Sequence, residues 1–217
     1  MARPQVIGIT GPPGAGKSTL VDQLIRHYRG NGDRPGVIVV DPTSPLTGGA
    51  LLGDRIRMQE HASDEGVYIR SLATRGELGG LAAGIEGALA VLAEEGFAPL
   101  LIETVGVGQS EVRIASVADT VVLVLHPGWG DEIQAAKAGL LEIADLFFVN
   151  KADQGNADAV VGQLEAMLAL SSPSWKPPVL SGSAASGEGI EELVEAILTH
   201  RQWEESIRPE PQPGGQL

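Results

Sequence analysis

Residues 11–18, Gly11-Pro12-Pro13-Gly14-Ala15-Gly16-Lys17-Ser18, fit the pattern G-x-x-x-x-G-K-[ST]. Glycines let backbone N–H groups turn inward around phosphate oxygens, and a helix opening at Lys17 adds positive potential at the same point. Lys17 is expected to reach the β- and γ-phosphates of a nucleoside triphosphate and to act catalytically. The Ser18 hydroxyl is expected on Mg²⁺, with Gly14, Ala15, Gly16 and Thr19 completing the cradle. A chance glycine-rich turn would not need an apolar strand before it and a helix after it, and both are written here.

A second polar run, Asn150-Lys151-Ala152-Asp153, follows the apolar Leu146-Phe147-Phe148-Val149. A carboxylate only accepts hydrogen bonds. Guanine offers two donors on one edge, the ring N1–H and the 2-amino group, and Asp153 can take both. Adenine would leave that carboxylate unpaired, the mismatch that gives strong discrimination. Asn150 is expected to brace the loop, and the Lys151 stem to lie along the base. Ser183-Ala184 stands after the last apolar run, where a backbone contact to the base is expected. GTP and GDP are therefore the expected ligands.

Acidic residues at strand ends are the candidates for the metal. Asp41 and Glu103 each close an apolar run, and Asp54 lies in Leu52-Gly53-Asp54-Arg55. Mg²⁺ takes oxygen ligands and keeps several waters, so few direct carboxylate contacts are needed; a helix cap or a solvated turn is the competing role for each acid. Gln109, in Gly106-Val107-Gly108-Gln109-Ser110, can orient a water or open a helix. Gly128-Trp129-Gly130-Asp131-Glu132 is a second loop suited to rearrangement, with Trp129 expected to face a partner. The histidines His27, His61, His126 and His200 show no ligand spacing and are read as structural.

These residues need a scaffold that gathers them. Apolar runs at 6–10, 37–41, 67–71, 99–103, 120–126, 146–150 and 178–181 alternate with amphipathic stretches at 17–29, 79–94, 110–117, 131–142, 157–168 and 190–203. Continuously apolar strands separated by helices predict an α/β fold, a P-loop NTPase with a mostly parallel central sheet and helices on both faces. Ligands of such sheets sit beyond the carboxyl ends of the strands, which is where the polar runs fall. One domain over 1–205 is expected, with a disordered Pro- and Gly-rich tail over 206–217.

The chain has 217 residues and a formal net charge of −13. That acidity argues against a nucleic-acid partner, and no apolar run is long enough for a membrane span. There are no cysteines, which excludes disulfides and thiolate metal sites. No signal-peptide pattern opens the sequence, so a cytoplasmic location is expected.

Several longer motifs resemble the MeaB/ArgK group. They are Asp41-Pro42-Thr43-Ser44-Pro45, Leu52-Gly53-Asp54-Arg55-Ile56-Arg57-Met58, Glu103-Thr104-Val105-Gly106-Val107-Gly108-Gln109-Ser110-Glu111 and Gly130-Asp131-Glu132-Ile133-Gln134-Ala135-Ala136-Lys137. The resemblance spans roughly residues 5–200 and implies a GTPase chaperone. Its implied partner is an adenosylcobalamin-dependent acyl-CoA mutase, such as methylmalonyl-CoA mutase, or the cobalamin-binding subunit of one. It implies GTP-gated delivery of cobalamin, protection of the mutase, and a switch over residues 128–137 that includes Gly128, Trp129, Gly130, Asp131, Glu132 and Lys137. No cobalamin site is identifiable in the residues themselves. Members of the group carry a helical extension and a dimerisation arm; this sequence reads as the bare G domain, a monomer or weak homodimer in isolation. Competing classes are a nickel-insertion GTPase, whose Cys- or His-rich tracts are missing here, a small-molecule kinase, and a nucleotide-gated binding module with little intrinsic hydrolysis.

Overall fold

A computed structural model of the chain describes residues 3–41, 59–61, 63–73, 78–104, 110–129, 141–170 and 174–207. Seven strands form one sheet: β1 (Val6–Thr10), β2 (Gly36–Asp41), β3 (Tyr68–Ala73), β4 (Leu100–Thr104), β5 (Thr120–Leu125), β6 (Leu146–Val149) and β7 (Val179–Ser181). Their order is β3-β2-β4-β1-β5-β6-β7, and every strand pair is parallel. Five helices are described: α1 (Lys17–Gly30), α2 (Leu78–Glu94), α3 (Ser110–Val117), α4 (Ala157–Leu168) and α5 (Ile190–Ile207). The sequence-predicted helix over 131–142 lies almost wholly outside the described residues. Helix α5 runs through Ser206 and Ile207, into the tail expected to be disordered; the Ser206 hydroxyl donates to the Trp203 carbonyl at 2.6 Å and continues the last turn.

The alternation of side chains along each strand divides the core in two. Ile7, Ile9, Leu101, Val122, Val124 and Phe148 meet α1 and α5 on one face. On the other, Val6, Ile38, Ile102 and Val121 meet α2 and α3, and Leu123, Leu125, Phe147 and Val149 meet α4. Both faces are covered, so β1, β4, β5 and β6 are buried along their whole length. Parallel strands with both faces covered need just such uninterrupted apolar runs.

Of the connection between β2 and β3, Glu60, His61 and Asp64 bond to α1. His61 Nε2 lies 2.7 Å from Asp22 Oδ1, Arg26 bonds to both Asp22 and Glu60, and the Arg29 guanidinium holds the Asp64 carboxylate at 2.8 and 2.9 Å. That guanidinium keeps the Asp64 carboxyl below the usual carboxylate range.

At the amino ends of the strands a second set of polar groups is closed on itself. Gln5 Nε2 donates to Thr120 Oγ1 at 3.2 Å, and Thr120 Oγ1 lies 2.9 Å from His200 Nδ1. His200 Nε2 is 3.4 Å from Asp145 Oδ1, whose partner oxygen accepts the Val121 N–H at 2.8 Å. Trp175 donates its indole N–H to the Asp145 carbonyl at 2.8 Å and packs on the His200 ring, with Trp203 stacked beyond. Burial pushes the Asp145 carboxyl up to about 6, partly offset by the Val121 N–H, and holds the His200 imidazole below its ordinary value.

Candidate functional site

The parallel sheet puts the carboxyl ends of β1, β4, β5 and β6 side by side. From β1 the chain enters the phosphate loop through Gly11, whose φ of 140° and position against the Val124 carbonyl leave no space for a Cβ. Gly14 and Gly16 also take left-handed conformations, with φ of 78° and 90°. Gly16 caps α1 without any side-chain hydrogen bond, and the first turn of α1 carries no acidic residue. The helix start therefore presents its dipole with no acidic side chain to offset it, a place that favours an anion. Lys17 is buried, and its ammonium donates to the carbonyls of Gly11 at 2.8 Å and Pro12 at 2.9 Å, so it lies along the inside of the loop. Thr19, by contrast, is exposed.

Ser18 and Glu103 meet across the β1–β4 pair. The Ser18 hydroxyl donates to Glu103 Oε1 at 2.6 Å, and both side chains are buried. Their oxygens, hydroxyl and carboxylate, form the donor set that a hard cation such as Mg²⁺ takes, so these residues fit the metal. Asp41 closes β2, next in the sheet to β4, in register with Ala73 of β3. Asp54 and Gln109 lie outside the described residues.

Asn150 joins the phosphate loop to the two loops expected at the base. Its Nδ2 donates to the Ala15 carbonyl at 2.8 Å, while its Oδ1 accepts the Ala184 N–H at 2.8 Å. Asn150 is almost wholly buried. Each of its bonds spares a buried backbone group from being left unpaired, which costs about 1–3 kcal/mol. A Cβ on Gly16 would strike Asn150 Nδ2, so glycine is needed there for space as well as for conformation. The Ala184 N–H is held by Asn150, which fixes the backbone of the loop expected at the base. Lys151 adopts a left-handed conformation with φ of 61°, opening the turn Ala152–Gln154 that carries the exposed Asp153. The Ala152 N–H donates to the Gly182 carbonyl at 3.0 Å, tying this turn to the loop of Ser183 and Ala184, both buried. The loop folds back on itself through Ser183 N–H to the Glu188 carbonyl at 3.0 Å.

The sequence reading did not single out two features of this end. Thr104 donates its hydroxyl to Thr10 Oγ1 at 3.0 Å, linking the residue after Glu103 to the residue before Gly11. His126, read as structural, accepts the N–H of Gly128 on its Nδ1 at 3.2 Å. An acceptor two residues before a glycine is a turn signal that could have been read from His126-Pro127-Gly128. Of the segment expected to switch, the backbone of Gly128 and Trp129 forms the short turn Pro127–Trp129. Gly130, Asp131, Glu132 and Lys137 lie outside the described residues. Among the described residues no helix is long and apolar enough to cross a membrane.

The sheet order, the phosphate loop and the strand-end loops define the class: a P-loop NTPase domain. A family model described as methylmalonyl Co-A mutase-associated GTPase MeaB matches residues 1–208. A relative from Pyrococcus abyssi that bears the name of a GTPase is 56% identical over 203 residues, 91% of this chain and 63% of that protein. The mitochondrial methylmalonic aciduria type A homolog of Mus musculus is 42% identical over 198 residues, 88% of this chain and 48% of that protein. Among solved structures, a LAO/AO transport system kinase superposes with a TM-score of 0.74 at 29% identity, over 93% of this chain and 60% of that one. The chain belongs to the MeaB family of GTPases, and it spans less than two thirds of the length of these relatives.

Proposed function

We propose that the chain hydrolyses GTP and, through its nucleotide state, gates delivery of adenosylcobalamin to an acyl-CoA mutase while protecting that mutase from inactivation. The observation that carries the nucleotide half of this reading is the pair of hydrogen bonds made by the Asn150 amide. It fixes the phosphate loop against the loops of Asp153 and Ser183–Ala184, so that one ligand with a triphosphate and a base would span both. In this reading Lys17 holds the β- and γ-phosphates, and Asp153 takes the two donors of guanine. Ser18 and Glu103 hold Mg²⁺, which supplies charge neutralisation at the phosphates when bound. The mutase half rests on the name of the family and on the relative tied by its name to methylmalonic aciduria.

Phosphate release from GTP and from ATP, with and without an adenosylcobalamin-dependent acyl-CoA mutase, tests both halves. GTP is expected to be preferred, and the mutase to accelerate its hydrolysis. Equal use of ATP would remove the guanine assignment. A lack of effect across several such mutases, with equal affinity for the GDP and GTP-analogue forms, would leave a GTPase without the chaperone role.

A further inference from the structure

The pairing of β1 with β4 runs from Val6–Leu100 to Ile9–Glu103. One residue further, Thr10 is paired with Leu123 of β5, and Thr104 with Val40 of β2. At that step a side-chain bond joins β1 to β4: the Thr104 hydroxyl donates to Thr10 Oγ1 at 3.0 Å. Both threonines are almost wholly buried. Thr10 is the residue before Gly11 of the phosphate loop, and Thr104 is the residue after Glu103. Side chains alternate along a strand. Ile9 and Leu101 pack on the α1 face, which Glu103 shares with Ser18, whereas Ile102 packs on the face of α2 and α3, and Thr104 lies with it. The threonine pair therefore stands on the opposite face of the sheet from the Ser18–Glu103 pair. Valine would fill the same space in a buried strand, and a buried hydroxyl costs stability unless it is bonded. What the bond adds beyond packing is a fixed distance between two strand ends.

We infer that Thr104 and Thr10 are positioning residues for the metal pair. Their bond holds the end of β4 to the root of the phosphate loop and so keeps the Glu103 carboxylate at the Ser18 hydroxyl. The inference rests on the reading above of Ser18 and Glu103 as the residues that hold Mg²⁺. The threonines act through the strand ends. Their loss is felt in how far Mg²⁺ tightens the nucleotide, and not in the nucleotide's affinity without metal.

Calorimetric titration of the full chain with a non-hydrolysable GTP analogue, in excess Mg²⁺ and in EDTA, gives the factor by which the metal tightens the nucleotide. Thr104→Val and Thr10→Val each remove one hydroxyl and keep the volume. Each is expected to lower that factor about fivefold, the effect of one neutral hydrogen bond, with affinity in EDTA unchanged within about twofold. The double variant is expected to lose no more than either single one, because the two hydroxyls share one bond. Thr104→Ser keeps the hydroxyl and sheds a methyl group. It is expected to retain the wild-type Mg²⁺ factor while its urea midpoint falls. A merely structural bond would lower the urea midpoints of the valine variants and leave the Mg²⁺ factor untouched, which overturns the inference. Additive losses in the double variant, or a serine variant with the valine defect, overturn it equally. A wild type that gains nothing from Mg²⁺ overturns the metal assignment and this inference with it, and leaves the guanine site standing. A wild type that binds no guanine nucleotide overturns the reading of the whole site.

Discussion

At the carboxyl ends of the strands Asn150 and Lys17 are tied to loop backbone, whereas at the amino ends Gln5, Thr120 and His200 are joined side chain to side chain. Asn150 spends both halves of its amide on backbone groups of other loops, and Lys17 lies along carbonyls of its own loop. These bonds tie the phosphate loop to itself and to the loops that follow β6 and β7. At the opposite end Gln5, Thr120, His200 and Asp145 form a continuous donor–acceptor series roofed by Trp175 and Trp203. Burial has similar depth in both places, yet one end ties together the loops where the nucleotide is proposed to bind, and the other satisfies its groups internally. Buried polarity alone does not mark a functional site; what its bonds hold in place does.

If that contrast is right, substitutions at the two ends should separate activity from stability. The largest effect is expected for Lys17→Ala, which should abolish GTP hydrolysis and greatly weaken triphosphate binding with the fold intact by circular dichroism. Near-normal phosphate release would break the comparison at its strongest point. Asn150→Ala should lower both affinity and stability, because it leaves the Ala15 carbonyl and the Ala184 N–H unpaired. With about 1–3 kcal/mol at stake for each group, GTP affinity should drop by at least about tenfold in calorimetric titration. An unchanged dissociation constant would show that the bridge is dispensable. Asp153→Asn should cost GTP about tenfold or more and favour xanthosine triphosphate, whose 2-oxo group accepts from the new amide. Here competition binding with the two nucleotides is the measurement, and retained GTP preference the adverse result.

The smallest effect belongs to the amino end and is visible only in pH dependence. For His200 the folded value lies below the ordinary 6.5, so the unfolded chain binds a proton that the folded chain refuses, and stability falls as pH drops below that value. For Asp145 the sign is reversed. Its folded value of about 6 exceeds the ordinary 3.8, so stability is regained as pH falls through that window. His200→Gln should therefore flatten the acid loss and Asp145→Asn should steepen it, read as urea midpoints between neutral and mildly acid pH. Neither substitution should change GTP turnover at neutral pH. A turnover defect in His200→Gln would mean that the two ends are coupled after all.

How much of this was legible in the sequence follows the same division. The phosphate loop and the Asn150–Asp153 run are local, and their chemistry is written in consecutive residues. The strands were legible because burial on both faces demands unbroken apolar runs such as Thr120–Leu125. The role of Asn150 as a bridge to Ala15 and Ala184 was visible only as a general bracing role, because its partners are distant in sequence. His200 and Trp175 gave no periodic or motif signal: a histidine on an amphipathic helix and a tryptophan in a loop become neighbours only once α5 docks on the sheet. His126 was passed over for lack of ligand spacing, although its bond is to the backbone.

The bond from Asn150 to Ala15 spans 135 residues of sequence. During synthesis the phosphate loop leaves the ribosome long before the side chain that braces it. At translation rates of about 5–20 residues per second, the interval for 135 residues is roughly 7–27 s. Over that time the nascent chain carries a complete phosphate-loop motif but lacks Asn150 and Asp153, and the strand β6 that leads into them has still to join the sheet. High-affinity guanine nucleotide binding would accordingly arise late, which would make the nucleotide a stabiliser of finished chains in preference to unfinished ones.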